Sequence, residues 1–172
     1  MRLAILSDIH DHVEHLGRAL ERIRGCDALL CCGDLCSPFV AAILADGFAG
    51  DIHLVFGNND GDTFRIGANA ARAGARFAIH AEFADIPAER YGVRIAMNHY
   101  PSLAQALART GDYGLVCYGH NHLLSIERLP NGTHLVNPGP LMGWEPARRS
   151  VVPATFLVFD TDADHIETHV VS

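Results

Sequence analysis

A chain of 172 residues has the length of one domain, expected here over residues 1–172, and a domain this size buries roughly 70% of the surface its unfolded form exposes. Hydrophobic residues at 49% against 19% charged exclude wholesale disorder, and no apolar run approaches the ~20 residues of a membrane span. A net charge of −7 argues against a partner such as long nucleic acid, which needs a basic stripe; a phosphorylated small molecule stays compatible, because bound divalent cations invert the local potential.

The N-terminal apolar run is interrupted at Asp8 and His10, short of a signal peptide's apolar region, which predicts a soluble cytoplasmic protein. Leu3–Leu6 reads as a buried strand that delivers Asp8 and His10 to its end. Asp11 is expected to cap a helix whose apolar face is Val13, Leu16, Leu20 and Ile23, stopped by Gly25. Ala28–Cys32 is a continuous apolar run, the mark of a strand buried on both faces, and Pro38 suits the first turn of a helix that ends at Gly47. Ile52–Phe56 reads as a third strand and Asp62–Ala75 as a third helix.

Beyond Phe77 the texture changes. Strands are expected at Ala81–Ile86 and Val93–Asn98, a helix from Pro101, and a strand at Leu115–Tyr118. Asn131-Gly132 between Leu123–Leu129 and His134–Val136 signals a hairpin, and Asp160–Asp164 between Phe156–Phe159 and Ile166–Val171 signals a second. These readings predict a parallel-leaning sheet from the first half and an antiparallel one from the last third, packed face to face with helices outside. The loop 137–153, with Trp144, Arg148 and Arg149, is long enough to suggest function.

Five apolar runs each end in side chains able to bind metal: Asp8 and His10, Asp34, Asn58, His99, and His120 and His122. Laid side by side, the strands bring these groups to one sheet edge. Asp8/His10 and His120/His122 are alternate residues, so an extended backbone would turn each pair to one face. Asp8, His10 and His122 are assigned to one divalent ion, Asn58, His99 and His120 to another, and Asp34 to both. Such donors suit Zn, Mn, Fe, Ni or Co, and a water between two ions would be deprotonated near neutral pH and attack phosphorus in line with the leaving oxygen. His12, His15, His53, His80, His134, His165 and His169 lack this setting and read as surface or capping residues. Cys26, Cys31, Cys32, Cys36 and Cys117 show no Cys-x-x-Cys spacing and read as reduced thiols, with Cys36 unassigned.

Asp8-Ile9-His10, Gly33-Asp34, Gly57-Asn58-Asn59-Asp60, Asn98-His99, Gly119-His120-Asn121-His122 and Asn137-Pro138-Gly139 occur in the order found in the calcineurin-like metallophosphoesterases, and the chain resembles that family. Its short length is similar to the YfcE-like phosphodiesterase branch, whose relatives include Vps29. The resemblance implies a four-layer αββα sandwich of two mixed β-sheets, two divalent ions from among Mn, Fe, Zn and Ni, and hydrolysis of a small phosphoester. It also allows a second reading, a metal-binding scaffold of the Vps29 type. Asp34, Asn59 and His99 form the expected catalytic set. The broader family often has a proton-donating His where this chain has Asn59, and Asn has no proton to give at neutral pH. Diesters or esters with acidic leaving groups are therefore the expected substrates, with Asn59, Arg148 and Arg149 as expected substrate contacts.

Overall fold

A computed structural model describes residues 1–171; Ser172, the last residue of the expected domain, lies outside them. The first half runs β1 (Arg2–Leu6), α1 (Val13–Arg22), β2 (Ala28–Cys31), α2 (Pro38–Gly47), β3 (Asp51–Leu54), α3 (Thr63–Ala70), a 3-10 segment at Ala71–Arg76 and β4 (Phe77–Ile79). The second runs β5 (Phe83–Ile86), α4 (Ala88–Tyr91), β6 (Ile95–Asn98), α5 (Pro101–Thr110), β7 (Leu115–Cys117), β8 (Ser125–Arg128), β9 (His134–Asn137), β10 (Trp144–Glu145), β11 (Ser150–Val151), β12 (Thr155–Asp160) and β13 (His165–Val170).

Alternation along the strands builds the layers. In β1, Ala4 and Leu6 face the helices while Leu3 and Ile5 face the other sheet; in β2, Leu29 and Cys31 divide in the same way from Ala28 and Leu30. The central core joins Leu3, Ile5 and Leu30 of one sheet to Ile95, Met97, Leu115 and Val136 of the other. The outer face of the first sheet is covered by Leu16 and Leu20 of α1 and Val40 and Leu44 of α2, and that of the second by Ala104 and Ala108 of α5. Full burial of each Leu, Ile or Val is worth about 1.5–3 kcal/mol, so a register slip of one residue would expose a whole face of each strand. The result is the expected αββα sandwich of two mixed sheets.

One expectation about the sheets fails. The first sheet has the order β13-β12-β1-β2-β3-β4 and the second β5-β6-β7-β9-β8, so the last third divides between them. The β12–β13 hairpin returns to pair antiparallel with β1, Ile5 opposite Leu157, while β9 pairs parallel with β7. Both hairpins form, but turn chemistry is local, and the choice of sheet is set by which apolar faces meet.

Smaller corrections have local causes. His12, not Asp11, caps α1 by accepting from the His15 N–H at 3.3 Å; Asp11 instead accepts from the Ser37 N–H and hydroxyl at 2.9 and 2.7 Å. Val13 is left 48% exposed at the helix start. The third helix stops at Ala70, short of the expected Ala75, followed by a 3-10 segment in which Gly74 takes φ 63° and by the short β4, which the sequence reading did not expect. The loop 137–153 contains the small β10–β11 ribbon. His53 and His134 are buried, contrary to the surface reading. Tyr91 donates to Asp51 and accepts from His53 Nε2 at 2.7 Å, leaving His53 Nδ1 to accept from His80 at 2.9 Å, and burial pushes the His53 pKa down to about 4.

Candidate metal centre

Because β1, β2 and β3 are parallel, as are β6, β7 and β9, their carboxyl ends open on one edge of the sandwich. Asp8, Asp34 and Asn58 follow the ends of β1, β2 and β3; His99, then His120 and His122, follow β6 and β7. All seven side chains meet there. Asp34 Oδ2 lies 3.5 Å from His10 Nε2 and 3.4 Å from His99 Nε2, and Asp8 Oδ1 lies 3.4 Å from His122 Nε2. Asn58 Oδ1 lies 3.2 Å from His99 Nε2 and 2.8 Å from His120 Nδ1. Candidate ligand atoms of Asp8, His10 and His122 fall within 4.8 Å of one another, as do those of Asp8, Asp34 and His99. Asp8, which the sequence assigns to one group only, also lies near His99, while the Asn58 and His120 ends stand beyond it.

The alternate pairs converge for a different reason from the one expected. Neither Asp8/His10 nor His120/His122 lies on extended chain: Asp8, His10, Asp34, His120 and His122 have φ of 53°, 42°, 56°, 73° and 57°. Left-handed backbone at non-glycine residues costs on the order of 1–3 kcal/mol each and survives only where the surroundings enforce it.

Hydrogen bonds around the cluster supply that enforcement. Asp60 accepts from the backbone N–H groups of Asp34 (2.9 Å), Gly57 (2.7 Å) and Cys36 (2.8 Å), tying the second and third strand ends together. Burial raises its pKa, while these three donors oppose the rise. No role was assigned to Asp60 from sequence, although Asn-Asn-Asp-Gly carried the signal of a side chain that bonds backbone nearby. Asn137 donates to the Gly119 carbonyl at 3.0 Å and to Asn121 at 2.8 Å, bracing the loop that holds His120 and His122. Gly33 takes φ 96°, and a Cβ there would come within 2.7 Å of the Gly57 nitrogen and 2.8 Å of the His99 ring, so only glycine lets the two loops touch.

The imidazoles are aimed. Nδ1 of His99 donates to the Cys32 carbonyl at 2.7 Å and Nδ1 of His122 to the Trp144 carbonyl at 2.6 Å, which leaves each Nε2 as a lone pair directed at a carboxylate. His10 Nδ1 lies 3.4 Å from Cys36 Sγ, and its Nε2 is buried without a hydrogen-bond partner. Lone pairs facing carboxylate oxygens repel unless positive charge lies between them. Donors ~2.0–2.2 Å from a tetrahedral ion stand ~3.3–3.6 Å apart, the spacing of the three carboxylate–imidazole pairs and longer than a good N–H···O bond, whereas Asn58 Oδ1 and His120 Nδ1 are at hydrogen-bond distance. The residues present therefore fit divalent metal.

Without an ion, a proton can supply that positive charge. Burial opposes ionisation of Asp34, yet His99 and the Asn59 N–H and carboxamide, at 2.8 Å each, outweigh it and hold the carboxyl well below the usual range. Burial also works against charge on His99 and His122, but Asp34 and Asp8 raise both; at His10, burial wins and the pKa falls.

A cleft of about 330 Å³ lies over the cluster, lined by His10, Asp34, Asn58, Asn59, His120 and His122, with Met142, Trp144 and Pro146 beyond. Asn59 reaches the cleft, but its amide is engaged on Asp34. Arg148 and Arg149, the other expected substrate contacts, do not line it. Arg148 is ion-paired to Glu145 at 3.3 Å in a neighbouring cavity, and the exposed Arg149 sits in the turn of the β10–β11 ribbon.

An α/β sandwich with carboxylates, imidazoles and a carboxamide gathered where its strands end belongs to the class of scaffolds that carry a metal centre at a sheet edge. Residues 1–164 match the calcineurin-like phosphoesterase superfamily domain, and the chain belongs to that family. It is similar to the phosphodiesterase MJ0936 of Methanocaldococcus jannaschii, with 26% identity over 146 residues that cover 84% of this chain and 86% of that protein. The structure of an archaeal phosphodiesterase superposes with a TM-score of 0.87 at 24% identity, covering 99% of each chain. The same fold is shared by the phosphoesterase YfcE of E. coli, with TM-score 0.63, 21% identity and 100% of each chain covered, and by Vps29 of Entamoeba histolytica, with 0.67, 18% and 100%. Among the described residues no helix is long and apolar enough to cross a membrane.

Proposed function

We propose that the chain is a phosphodiesterase that works with two divalent ions, Mn, Fe, Zn or Ni, one held by Asp8, His10 and His122, the other by Asn58, His99 and His120, with Asp34 between them. The observation that carries this reading is the set of three imidazole nitrogens, two of them braced by backbone carbonyls, facing buried carboxylates at 3.4–3.5 Å, a spacing that asks for cations. When bound, such ions lower the pKa of water and neutralise charge on a phosphoryl group.

The side chains do the rest. Asp34, held ionised by the Asn59 N–H and carboxamide, supplies shared negative charge, and the exposed Asn58 and His120 form the side of the centre open to the cleft. Trp144 and Met142 wall the cleft and limit water around a bound ester. Asn59 brings no titrating proton to the leaving oxygen, so the substrate's own leaving-group acidity matters. Aryl or similarly acidic diesters are the substrates this arrangement favours over alkyl monoesters.

Metal analysis combined with a panel of aryl diesters and alkyl monoesters in Mn tests the reading. Two ions per chain with diesters turned over faster supports it. Two ions with no turnover of any ester would shift the protein to a metal-binding scaffold, and no metal uptake would remove the centre altogether.

A further inference from the structure

His122 has a second side. Beyond it lies another cavity of about 310 Å³, walled by Leu123, Leu124, Pro140 and Val152 and carrying one polar feature at its edge, the Glu145–Arg148 pair. Three properties make this cavity part of the same machinery. It shares His122 with the cleft over the ligand cluster, so the two lie on either side of one residue and within reach of one small molecule. Leu123 and Leu124 follow the ligand residue directly and remain 41% and 46% exposed, an unsatisfied apolar surface at the cavity. Glu145 is 3% exposed, whereas the side chain of Arg148 is 73% exposed.

The volume stands at the lower end of the ~300–1,000 Å³ range of small-molecule pockets, far more than a methyl or ethyl ester arm fills. Apolar walls suit a flat ring. A carboxylate beside a guanidinium presents an acceptor next to donors, the complement of a ring edge that offers a donor next to an acceptor. Thr155, the other polar side chain at this cavity, is occupied, donating to the Pro138 carbonyl at 2.6 Å.

We propose that this cavity binds the base of a nucleoside arm, so that the substrates are small diesters of a nucleoside rather than glycerol or short alkyl diesters. Glu145 accepts from the ring N–H, Arg148 donates to the neighbouring ring carbonyl, and Leu123, Leu124 and Val152 cover the faces. In the reaction the oxygen of water bonds to phosphorus, the bond from phosphorus to the second ester oxygen breaks with its electron pair, and that oxygen, taking up through solvent the proton the water gives up, leaves as the alcohol or phenol. The nucleoside arm stays seated as the monoester. Arg148 then serves as a substrate contact through the base, as a specificity residue.

The inference rests on the phosphodiesterase reading, and one pair of substrates separates the two. Thymidine para-nitrophenyl phosphate and methyl para-nitrophenyl phosphate share the leaving group and differ only in the retained arm. The wild-type protein in Mn should favour the thymidine diester by about tenfold in kcat/KM, expressed mainly in KM, with free thymidine a competitive inhibitor. Arg148→Ala and Glu145→Gln should each bring the ratio of the two substrates toward one and weaken thymidine inhibition. Arg148→Ala leaves the buried Glu145 carboxylate without its partner, so the thermal midpoints of both variants check that the fold is intact. Turnover of both diesters at equal kcat/KM, or a preference that survives both substitutions, overturns the nucleoside subsite and leaves the phosphodiesterase standing. Turnover of neither overturns the phosphodiesterase itself.

Discussion

The two halves of the centre are built unequally. Asp8, His10 and His122 form a half that is largely withdrawn from water, with Asp8 fully buried and the Asp34 carboxylate on its border. Asn58, His99 and His120 form the other half, where only His99 is buried, and the carboxamide and the exposed His120 bring no charge of their own. Coulombic attraction for a dication is stronger in the first half, because it holds a carboxylate the second lacks and is farther from the screening solvent. Openness favours the second, which faces the cleft. On the proposed two-ion reading the first half would hold its ion as a fixture and the second would present its ion to substrate, so the halves should fail differently when disturbed.

The sharpest disturbance strikes the group they share. Asp34→Asn removes the charge common to both halves and should abolish tight binding of either ion, with diester kcat/KM falling by about 10³-fold or more, since ion-based charge stabilisation is worth several kcal/mol. Metal content by elemental analysis and turnover in saturating Mn check it; retention of both ions would mean Asp34 does not join the halves. Next in size, Asn58→Ala should reduce the stoichiometry from two ions to one, and graded chelator should empty the Asn58 side of the wild type before the Asp8 side. Loss in the opposite order would reverse the ranking drawn from charge and burial.

The same asymmetry explains what the sequence could reveal. The residues that gather at the sheet edge were legible because each follows an apolar run, and a buried strand leaves its polar side chains only at its end. Which face they present was misread: the pairs at Asp8/His10 and His120/His122 converge through left-handed turns, a property of the folded loops that residue alternation does not encode. The layers were legible from period-two burial, as in Leu3 to Leu6, whereas membership of β12 and β13 in the first sheet was not, since Asp160–Asp164 specifies a hairpin and says nothing of the neighbour it joins. His53 failed for a related reason. A histidine inside a short strand looks like a surface residue until the hydroxyl of Tyr91 and the ring of His80, both distant in sequence, are found beside it.

Asp60 bears on both halves through the backbone. Its carboxylate takes three N–H groups, two of them flanking Leu35 and one at Gly57 next to Asn58. Asp60→Ala leaves those donors without their acceptor, at a cost of roughly 3 kcal/mol in unfolding free energy, and Asp60→Asn, which keeps one carbonyl acceptor, should lose about half as much. Denaturant titration of the metal-free protein measures it, and a midpoint unchanged by Asp60→Ala would show that the strand ends hold their left-handed turns unaided.

The subtlest difference lies in how the imidazoles are braced. His99 and His122 each donate to a backbone carbonyl, at 2.7 and 2.6 Å, but the partner of His10 Nδ1 is the Cys36 sulfur at 3.4 Å. A thiol is a weak acceptor, and burial pushes the Cys36 pKa up to about 12, so it stays protonated and lends no anionic character to the ring. His10 is thus the least firmly oriented donor in the half that charge otherwise favours. Cys36→Ala removes even this brace and should weaken ion binding on the Asp8 side by about tenfold while leaving the Asn58 side near its wild-type affinity, the lower end of what a partner behind a ligand histidine contributes. Calorimetric titration with Mn resolves the two steps. A loss confined to the Asn58 step would place the thiol's influence in the wrong half, and no loss in either would show that packing alone orients His10.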